Sequence, residues 1–264
     1  EEQLQNCVTN DTSASGRILH LTPYMDELIK STHSMALQKQ FIPPTAECNF
    51  QFADDYLCED KYTPVPNLIH RYKNKAVIIA TNQCACYCQF CTRQRLTRSG
   101  EISLDNFGKI LAYIKEHSEI EDILVTGGDP LILNTSKIVA ILQELEKIDS
   151  IKIMRIGTRI PITLPQRINT ELIQALKMFN HLYINIHINH PDELTSESRD
   201  AILALANNGI PLGSQSVLLK GINDDYDILK KLFQQLIQIK VKPYYLYQCD
   251  KVKGCEDYIV DIQK

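Results

Sequence analysis

The sequence predicts an α/β protein: a partial barrel of six β/α units fronted by an N-terminal helical arm. Three observations predict it. From residue 75 onward, six apolar strand-like runs alternate with amphipathic helical segments. Such a β-α repeat makes a parallel sheet with right-handed crossovers. The chemistry-bearing motifs follow the strands: a cysteine loop after the first, GGD after the second, RIP after the third, NHP after the fourth and QCD after the sixth. Ligands of β/α folds bind at the carboxyl ends of the strands. Five loops converging on one mouth favour a curved barrel over a flat sheet, which would spread them in a line.

The elements follow in order. Residues 1–70 are polar, with a helical stretch near 23–40 and then IPP and TPVPN turns, and form the arm. AVIIAT (76–81), rich in β-branched residues, is the first buried strand. The segment 103–120 opens on Ser103 as a candidate N-cap and keeps helical periodicity. Strand DILVT (122–126) and a helix at 135–148 come next, then strand IKIMRIG (151–157) and a helix at 169–179. Strand HLYINIHI (181–188), a helix at 195–209, strand PLGSQSVLL (211–219), a helix at 225–239 and strand KPYYLYQ (242–248) complete the set. The barrel thus spans 71–250, and 251–264 opens a C-terminal segment.

The chain has 264 residues, 44% hydrophobic and 23% charged, a globular composition. A net charge of -4 obliges no face to meet nucleic acid or an acidic membrane. No apolar stretch approaches the roughly 20 residues of a membrane span, and no basic-apolar signal pattern opens the chain. The first residue is Glu1, not Met, which suits a processed or partial chain. Nine cysteines, an odd number with four crowded between 83 and 95, point to a reducing cytoplasm and a metal or redox role.

Cys84, Cys88 and Cys91 stand at C-x3-C-x2-C spacing, and Cys86 is an extra. Structural zinc wants four ligands, usually as two short pairs a dozen or more residues apart. Here there is one tight cluster, to which Cys58 or Cys249 could be recruited. An iron-sulfur cluster prefers thiolates on a short loop. Three thiolates on a four-iron cube leave one iron open to a substrate or cofactor. The cluster reading is preferred, with zinc or incidental thiols as the alternatives. In GGDP (127–130), Gly127 and Gly128 let the backbone approach closely, and Asp129 can accept from an ammonium; alone, the motif would be a tight turn.

The cysteine spacing, its place after the first strand and the GGDP loop resemble the radical S-adenosylmethionine (radical SAM) superfamily. YCQFCTRQR, TPVPNLIHRY, VTGGDPLIL, RIGTRIPITLPQRI, HINHPDELT, PLGSQSVLLKGIND and PYYLYQCD together resemble the lysine 2,3-aminomutase family, from about residue 22 to about 258. The resemblance implies a partial six-stranded radical SAM barrel. It implies a [4Fe–4S] cluster on Cys84, Cys88 and Cys91, with Cys86 dispensable. SAM would sit on Gly127, Gly128 and Asp129, with His187 and Gln215 lining its pocket. Pyridoxal phosphate (PLP) would have its phosphate on Arg71. Arg93 would pair with the substrate carboxylate and Asp250 with the distal ammonium of lysine. The implied reaction moves the α-amino group of L-lysine to carbon 3, giving β-lysine, through a 5′-deoxyadenosyl radical and a PLP imine.

The implied partners are the amino acid and a one-electron reductant such as flavodoxin or ferredoxin, with no nucleic acid or membrane; homo-oligomerisation stays open. The family's Schiff-base lysine follows a glycine-rich run near the C-terminus, with a second acidic residue just before it. Lys251, Lys253 and Lys264 stand in no such run. The expectation is therefore a piece of a longer chain rather than a shortened relative. Two alternatives stay open: the relative making (R)-β-lysine for an elongation factor, and a catalytically silent iron-sulfur or zinc-binding protein.

Overall fold

The computed structural model describes residues 6–10, 17–45, 51–97 and 107–261. The arm begins as an antiparallel ribbon of β1 (Val8–Asn10) and β2 (Leu19–Leu21). The helical stretch then forms as two helices, α1 (Pro23–Thr32) and α2 (Met35–Phe41). The Thr22 hydroxyl accepts the Met25 N–H at 3.2 Å and caps α1. Pro23 takes the first helical turn, where a missing N–H costs nothing. His33, left-handed at φ 51°, stops α1, and Ser34 caps α2.

The main sheet has seven strands in strict chain order: β3 (Leu68–Tyr72), β4 (Lys75–Thr81), β5 (Asp122–Gly127), β6 (Ile153–Thr158), β7 (Leu182–His187), β8 (Leu212–Leu218) and β9 (Lys242–Gln248). From β4 to β9 all neighbours run parallel. The connections carry α3 (Gln94–Thr97), α4 (Phe107–Glu116), α5 (Thr135–Glu146), the single turn α6 (Ile160–Thr163), α7 (Thr170–Leu176), α8 (Ser196–Asn207) and α9 (Tyr226–Gln238). Right-handed crossovers between consecutive parallel neighbours put the long crossover helices on one face, and the sheet curls around the other, where Leu96 and Thr97 of α3 and Thr163 of α6 reach the chamber. A doubly wound sheet would instead reverse its order part-way. Among the described residues β9 does not pair with β3, so the barrel is open.

All six expected strands form, to within two residues at each end. The helix read at 103–120 is described as Phe107–Glu116; Ser103 lies outside the described residues, as do Glu1 and Lys264. Three strands were not expected: β1 and β2 in the arm, and β3 in the main sheet. LIHRY forms β3, antiparallel to β4 across a turn at Lys73 and Asn74, with Tyr72 opposite Lys75. The arm-barrel division at residue 70 therefore falls inside a strand of the sheet. A five-residue run lacks the length for its alternation to stand out; the pairing with β4 makes it a strand.

Alternation along the strands sorts side chains between two environments. Ile123, Val125, Met154, Ile156, Ile184, Ile186 and Leu212 are all nearly or fully buried. They join one core with Ile110, Ile114, Leu142, Leu172, Ile202 and Leu232 from the helices. Each such side chain contributes about 1.5–3 kcal/mol when fully buried. The alternate residues, Asp122, Leu124, Thr126, Arg155, Gly157, Asn185 and Gln215, line the inside of the barrel. That polar alternate set marks an inner face built around a cavity rather than a packed core. Among the described residues no helix is long and apolar enough to cross a membrane.

Candidate active site

The inner face encloses a cavity of about 620 Å³. Cys84, Cys88, Cys91, Arg71, Arg93, Gly127, Gly128, Asp129, His187, Gln215 and Asp250 all line it. Every site residue expected from the sequence is therefore brought to one chamber. They arrive from the loop after β4, the end of β5 and the loop after it, the end of β7, the middle of β8, strand β3 and the second residue after β9.

The arm holds the cysteine loop from behind. Tyr87 N–H donates to His20 O at 2.9 Å and Gln89 N–H to Gln40 O at 2.8 Å. The Gln89 amide nitrogen also reaches the Phe41 and Ile18 carbonyls at 3.2 and 3.3 Å. Cys86, 4% exposed, packs with Leu37 and Phe41 of α2. Its sulfur accepts from Thr22 N–H at 3.3 Å, and burial pushes the thiol up to about 12. A thiol so engaged by the arm fits the reading of Cys86 as an extra.

The other three thiols line the chamber. Burial raises Cys84 well above its ordinary value, with Cys91, Asp129 and Cys88 adding to the rise. Burial and Cys88 push Cys91 up to about 11. Three thiolates this close, in so little water, require a positive partner among them. Among the described residues no three His, Cys, Asp or Glu side chains are drawn together as ligands of a single metal ion. Three thiols on one short loop beside a chamber suit an iron-sulfur cluster, which takes its thiolates from such a loop. The donor set fits a cubane cluster with one open iron.

The two glycines have a specific steric reason. A Cβ on Gly127, which stands at φ 141°, would lie 2.1 Å from Thr81 O. One on Gly128 would lie 2.1 Å from Gln83 O. The loop after β5 therefore packs backbone against the start of the cysteine loop, with Gly128 N–H donating to Thr81 O at 2.6 Å and Asp129 N–H to Gln83 O at 2.7 Å. Asp129 is 5% exposed. Its oxygens accept from Thr158 Oγ1 at 2.7 Å, Arg159 N at 2.6 Å and Leu131 N at 3.1 Å. Burial pushes its carboxyl up to about 6 against those hydrogen bonds. In this structure Asp129 ties the loop after β5 to the end of β6.

His187 and Gln215 sit side by side in register on β7 and β8. His187 Nε2 lies 3.2 Å from Asn189 Oδ1, and the ring meets Phe90 edge-on at 5.6 Å. Burial, then the charge of Arg159, pushes the imidazole down to about 3, so it is neutral. The Gln215 side chain crosses toward β6, its Nε2 3.4 Å from the Cβ position of Gly157.

Three charged residues face the other side of the chamber. Arg71, on β3, is exposed, donates to Leu57 O at 3.2 Å and lies over the rings of Tyr62 and Tyr72 at 5.3 and 5.9 Å. Arg93 pairs with Glu59: Nη2 to Oε1 at 2.7 Å and Nε to Oε2 at 3.1 Å. Asp250 is half-buried. Burial and the nearby Glu59 raise its carboxyl, while Arg71 and Arg93 hold it down. The chamber thus places two carboxylates and two guanidinium groups together. Glu59 was missed at the sequence level because it stands in a polar arm segment, where an acidic residue signals only solvent.

Arg159 was missed too, although its RIP motif stood out; it is 6% exposed and lies against Cys88. A lysine suited to an aldehyde is harder to place. Among the described residues the lysine that lines the chamber is Lys75, 3.6 Å from Asp122 at the opposite end of the strands.

Comparison with known proteins agrees with this geometry. The Radical SAM superfamily model matches residues 78–232. The chain is 40% identical over 249 residues to L-lysine 2,3-aminomutase of Fusobacterium nucleatum subsp. nucleatum, covering 92% of this chain and 59% of that protein. It is 42% identical over 206 residues to glutamate 2,3-aminomutase of Clostridioides difficile, covering 77% of this chain and 49% of that protein. The chain therefore spans between half and three fifths of these relatives' length. Among solved structures, Streptococcus suis SuiB bound to S-adenosylmethionine superposes with a TM-score of 0.56 at 16% identity, over 77% of this chain and 47% of that one, a likeness of fold. With the cysteine loop, the glycine loop and the open barrel in place, the chain belongs to the radical SAM superfamily and, within it, to the lysine 2,3-aminomutase family.

Proposed function

We propose that this chain forms the radical-generating chamber of an aminomutase that moves the α-amino group of L-lysine to carbon 3, giving β-lysine. Family membership brings a [4Fe–4S] cluster, SAM and PLP as cofactors. When bound, they supply a 5′-deoxyadenosyl radical and a carrier for the migrating amino group. The single observation that carries the reading is the convergence of the three thiols, the glycine loop, His187, Gln215 and Asp250 on one chamber.

The chain's own residues have the following tasks. Cys84, Cys88 and Cys91 hold the cluster. Gly127 and Gly128 keep the strand-end loop close to it, and His187 and Gln215 wall the SAM side. Arg71 at the rim takes the PLP phosphate, a dianion that an exposed planar guanidinium suits. Arg93 takes the substrate carboxylate in competition with Glu59. The barrel excludes water from the reacting atoms. Asp250 favours lysine over glutamate: burial, then Glu59, already raises its carboxyl, and an incoming ammonium offsets both while a second carboxylate adds to the repulsion.

The test is anaerobic reconstitution followed by incubation with SAM, dithionite and either lysine or glutamate. Formation of 5′-deoxyadenosine with lysine, and little with glutamate, is expected. Glutamate-dependent cleavage would transfer the reading to the glutamate enzyme, and no cleavage with either would end it. Among the described residues Lys75, paired with Asp122 at the far end of the strands, is the lysine that lines the chamber, so PLP bound to this chain is expected to be released on dialysis. A stoichiometric pyridoxyl adduct on Lys75, Lys251 or Lys253 after borohydride reduction, read by mass spectrometry, would overturn that expectation.

A further inference from the structure

Arg159 follows the last residue of β6 and is held so that one edge of its guanidinium meets the cysteine loop. Nη1 lies 2.7 Å from Cys88 Sγ. Nη2 donates to Gln40 Oε1 at 2.6 Å and to Glu193 Oε2 at 2.9 Å. Both partners are 0% exposed and fixed in turn. Gln40 Nε2 donates to Glu193 Oε1 at 3.1 Å, and Asn189 Nδ2 donates to Gln40 Oε1 at 3.0 Å. Glu193 Oε1 also accepts the N–H groups of Asn189 and His190, at 2.9 and 2.8 Å. The Phe41 and Phe90 rings lie 4.4 and 5.6 Å from the guanidinium carbon. These contacts hold both terminal nitrogens, while the buried Nε has no hydrogen-bond partner.

This construction exceeds what the fold requires. A guanidinium paired with Glu193 and Gln40 would already be balanced, and a neutral thiol is a weak acceptor that does not justify a buried N–H aimed at it. A cluster thiolate is a strong acceptor, and hydrogen bonds to cluster sulfurs and nearby charge set the reduction potential. We propose that Arg159 is a positioning residue for the cluster, donating an N–H···S hydrogen bond to the Cys88 ligand and making the cluster easier to reduce. The redox step is a one-electron transfer from a flavodoxin- or ferredoxin-class reductant into the cluster, which goes from the 2+ to the 1+ state; no covalent bond forms or breaks. The added electron density falls partly on the ligand sulfurs, and Arg159 offsets it. Gln40 belongs to α2, so the arm sets the angle at which this donor meets the cluster.

The inference rests on the cluster reading above. Wild-type protein that takes up no iron would end both, whereas a cluster with an unmoved potential ends this one alone. The experiment is a potentiometric titration of the reconstituted protein, followed by electron paramagnetic resonance. Arg159→Gln is expected to keep the wild-type iron content and shift the midpoint to a more negative potential. Arg159→Lys, which keeps a charge and loses the rigid fork, is expected to shift it less. An unmoved midpoint in Arg159→Gln overturns the proposal. Should that variant lose its iron, wild-type protein grown with guanidino-¹⁵N arginine decides. Spin-echo modulation from ¹⁵N on the reduced cluster supports the contact, and its absence overturns it.

Discussion

Two arginines four residues apart sit at opposite levels of the same barrel and are held in different ways. Arg155 lies inside, toward the start of the strands. Its Nη2 pairs with Asp122 Oδ2 at 2.8 Å, its Nε donates to Asp122 Oδ1 at 3.0 Å and its Nη1 to Tyr244 Oη at 3.1 Å. These contacts join β5, β6 and β9, three strands of which β9 is not a neighbour of the others, so the group staples the curl of the sheet. Arg159 lies at the mouth, and its partners come from the arm, the loop after β7 and the cysteine loop. The floor is closed upon itself. The rim takes two protein partners on Nη2, directs Nη1 at a thiol and leaves Nε buried without a hydrogen-bond partner. A buried charge pair alone does not mark a site; the direction of its leftover valence does.

The comparison predicts that rim and floor substitutions fail differently. The largest effect belongs to the rim. Replacing Cys84, Cys88 or Cys91 with alanine is expected to abolish iron uptake and SAM cleavage while leaving circular dichroism unchanged, and Cys86→Ala should keep the iron. If Cys86→Ala loses the cluster and Cys84→Ala retains it, the ligand assignment falls.

The floor should respond in stability. Asp122→Leu strands Arg155 in the barrel and should cost about 3–5 kcal/mol in chemical denaturation. The double variant Asp122→Leu/Arg155→Met should recover most of it. Folded Asp122→Leu protein should still bind its cluster. Loss of the cluster without loss of stability would erase the distinction between the two levels.

Asp250→Ala is the next smaller change. With Glu59 still present, it should weaken lysine binding by about 1–3 kcal/mol, the usual cost of removing one partner from a buried polar contact. Calorimetric titration with unchanged lysine affinity would remove Asp250 from the substrate side.

The smallest effect is a slope. His187 is pushed down to about 3 in the folded chain, against about 6.5 when unfolded. The unfolded state therefore binds the extra proton first, and folding stability should fall as pH drops below about 6.5, continuing toward 3. His187→Gln should flatten that part of the profile. An identical pH profile in the variant would show that the imidazole is not buried as a neutral group.

What the sequence alone determined is what short range encodes. The β-α alternation gave the strands because side-chain period and strand length are local properties. C-x3-C-x2-C and GGDP were legible because their partners lie within one loop. Their company was not. Gln40 reaches Arg159 across 119 positions, and Arg93 meets Glu59 across 34. Such pairs depend on which strand ends the curl brings together and on where the arm docks. Strand β3 was hidden for the same reason, since its evidence is the neighbour it pairs with. The tertiary structure also added a structural task for the glycines and for Asp129. Local spacing showed a loop free to approach a ligand, while the fold shows Gly127 and Gly128 against the backbone of 81–83 and Asp129 bound to Thr158 and Arg159. Hydrophobic period and motif spacing are written along the chain. The partner of a buried charge is decided by the closure of the barrel, because burial makes an unpaired charge costly and only the folded geometry determines which partner is within reach.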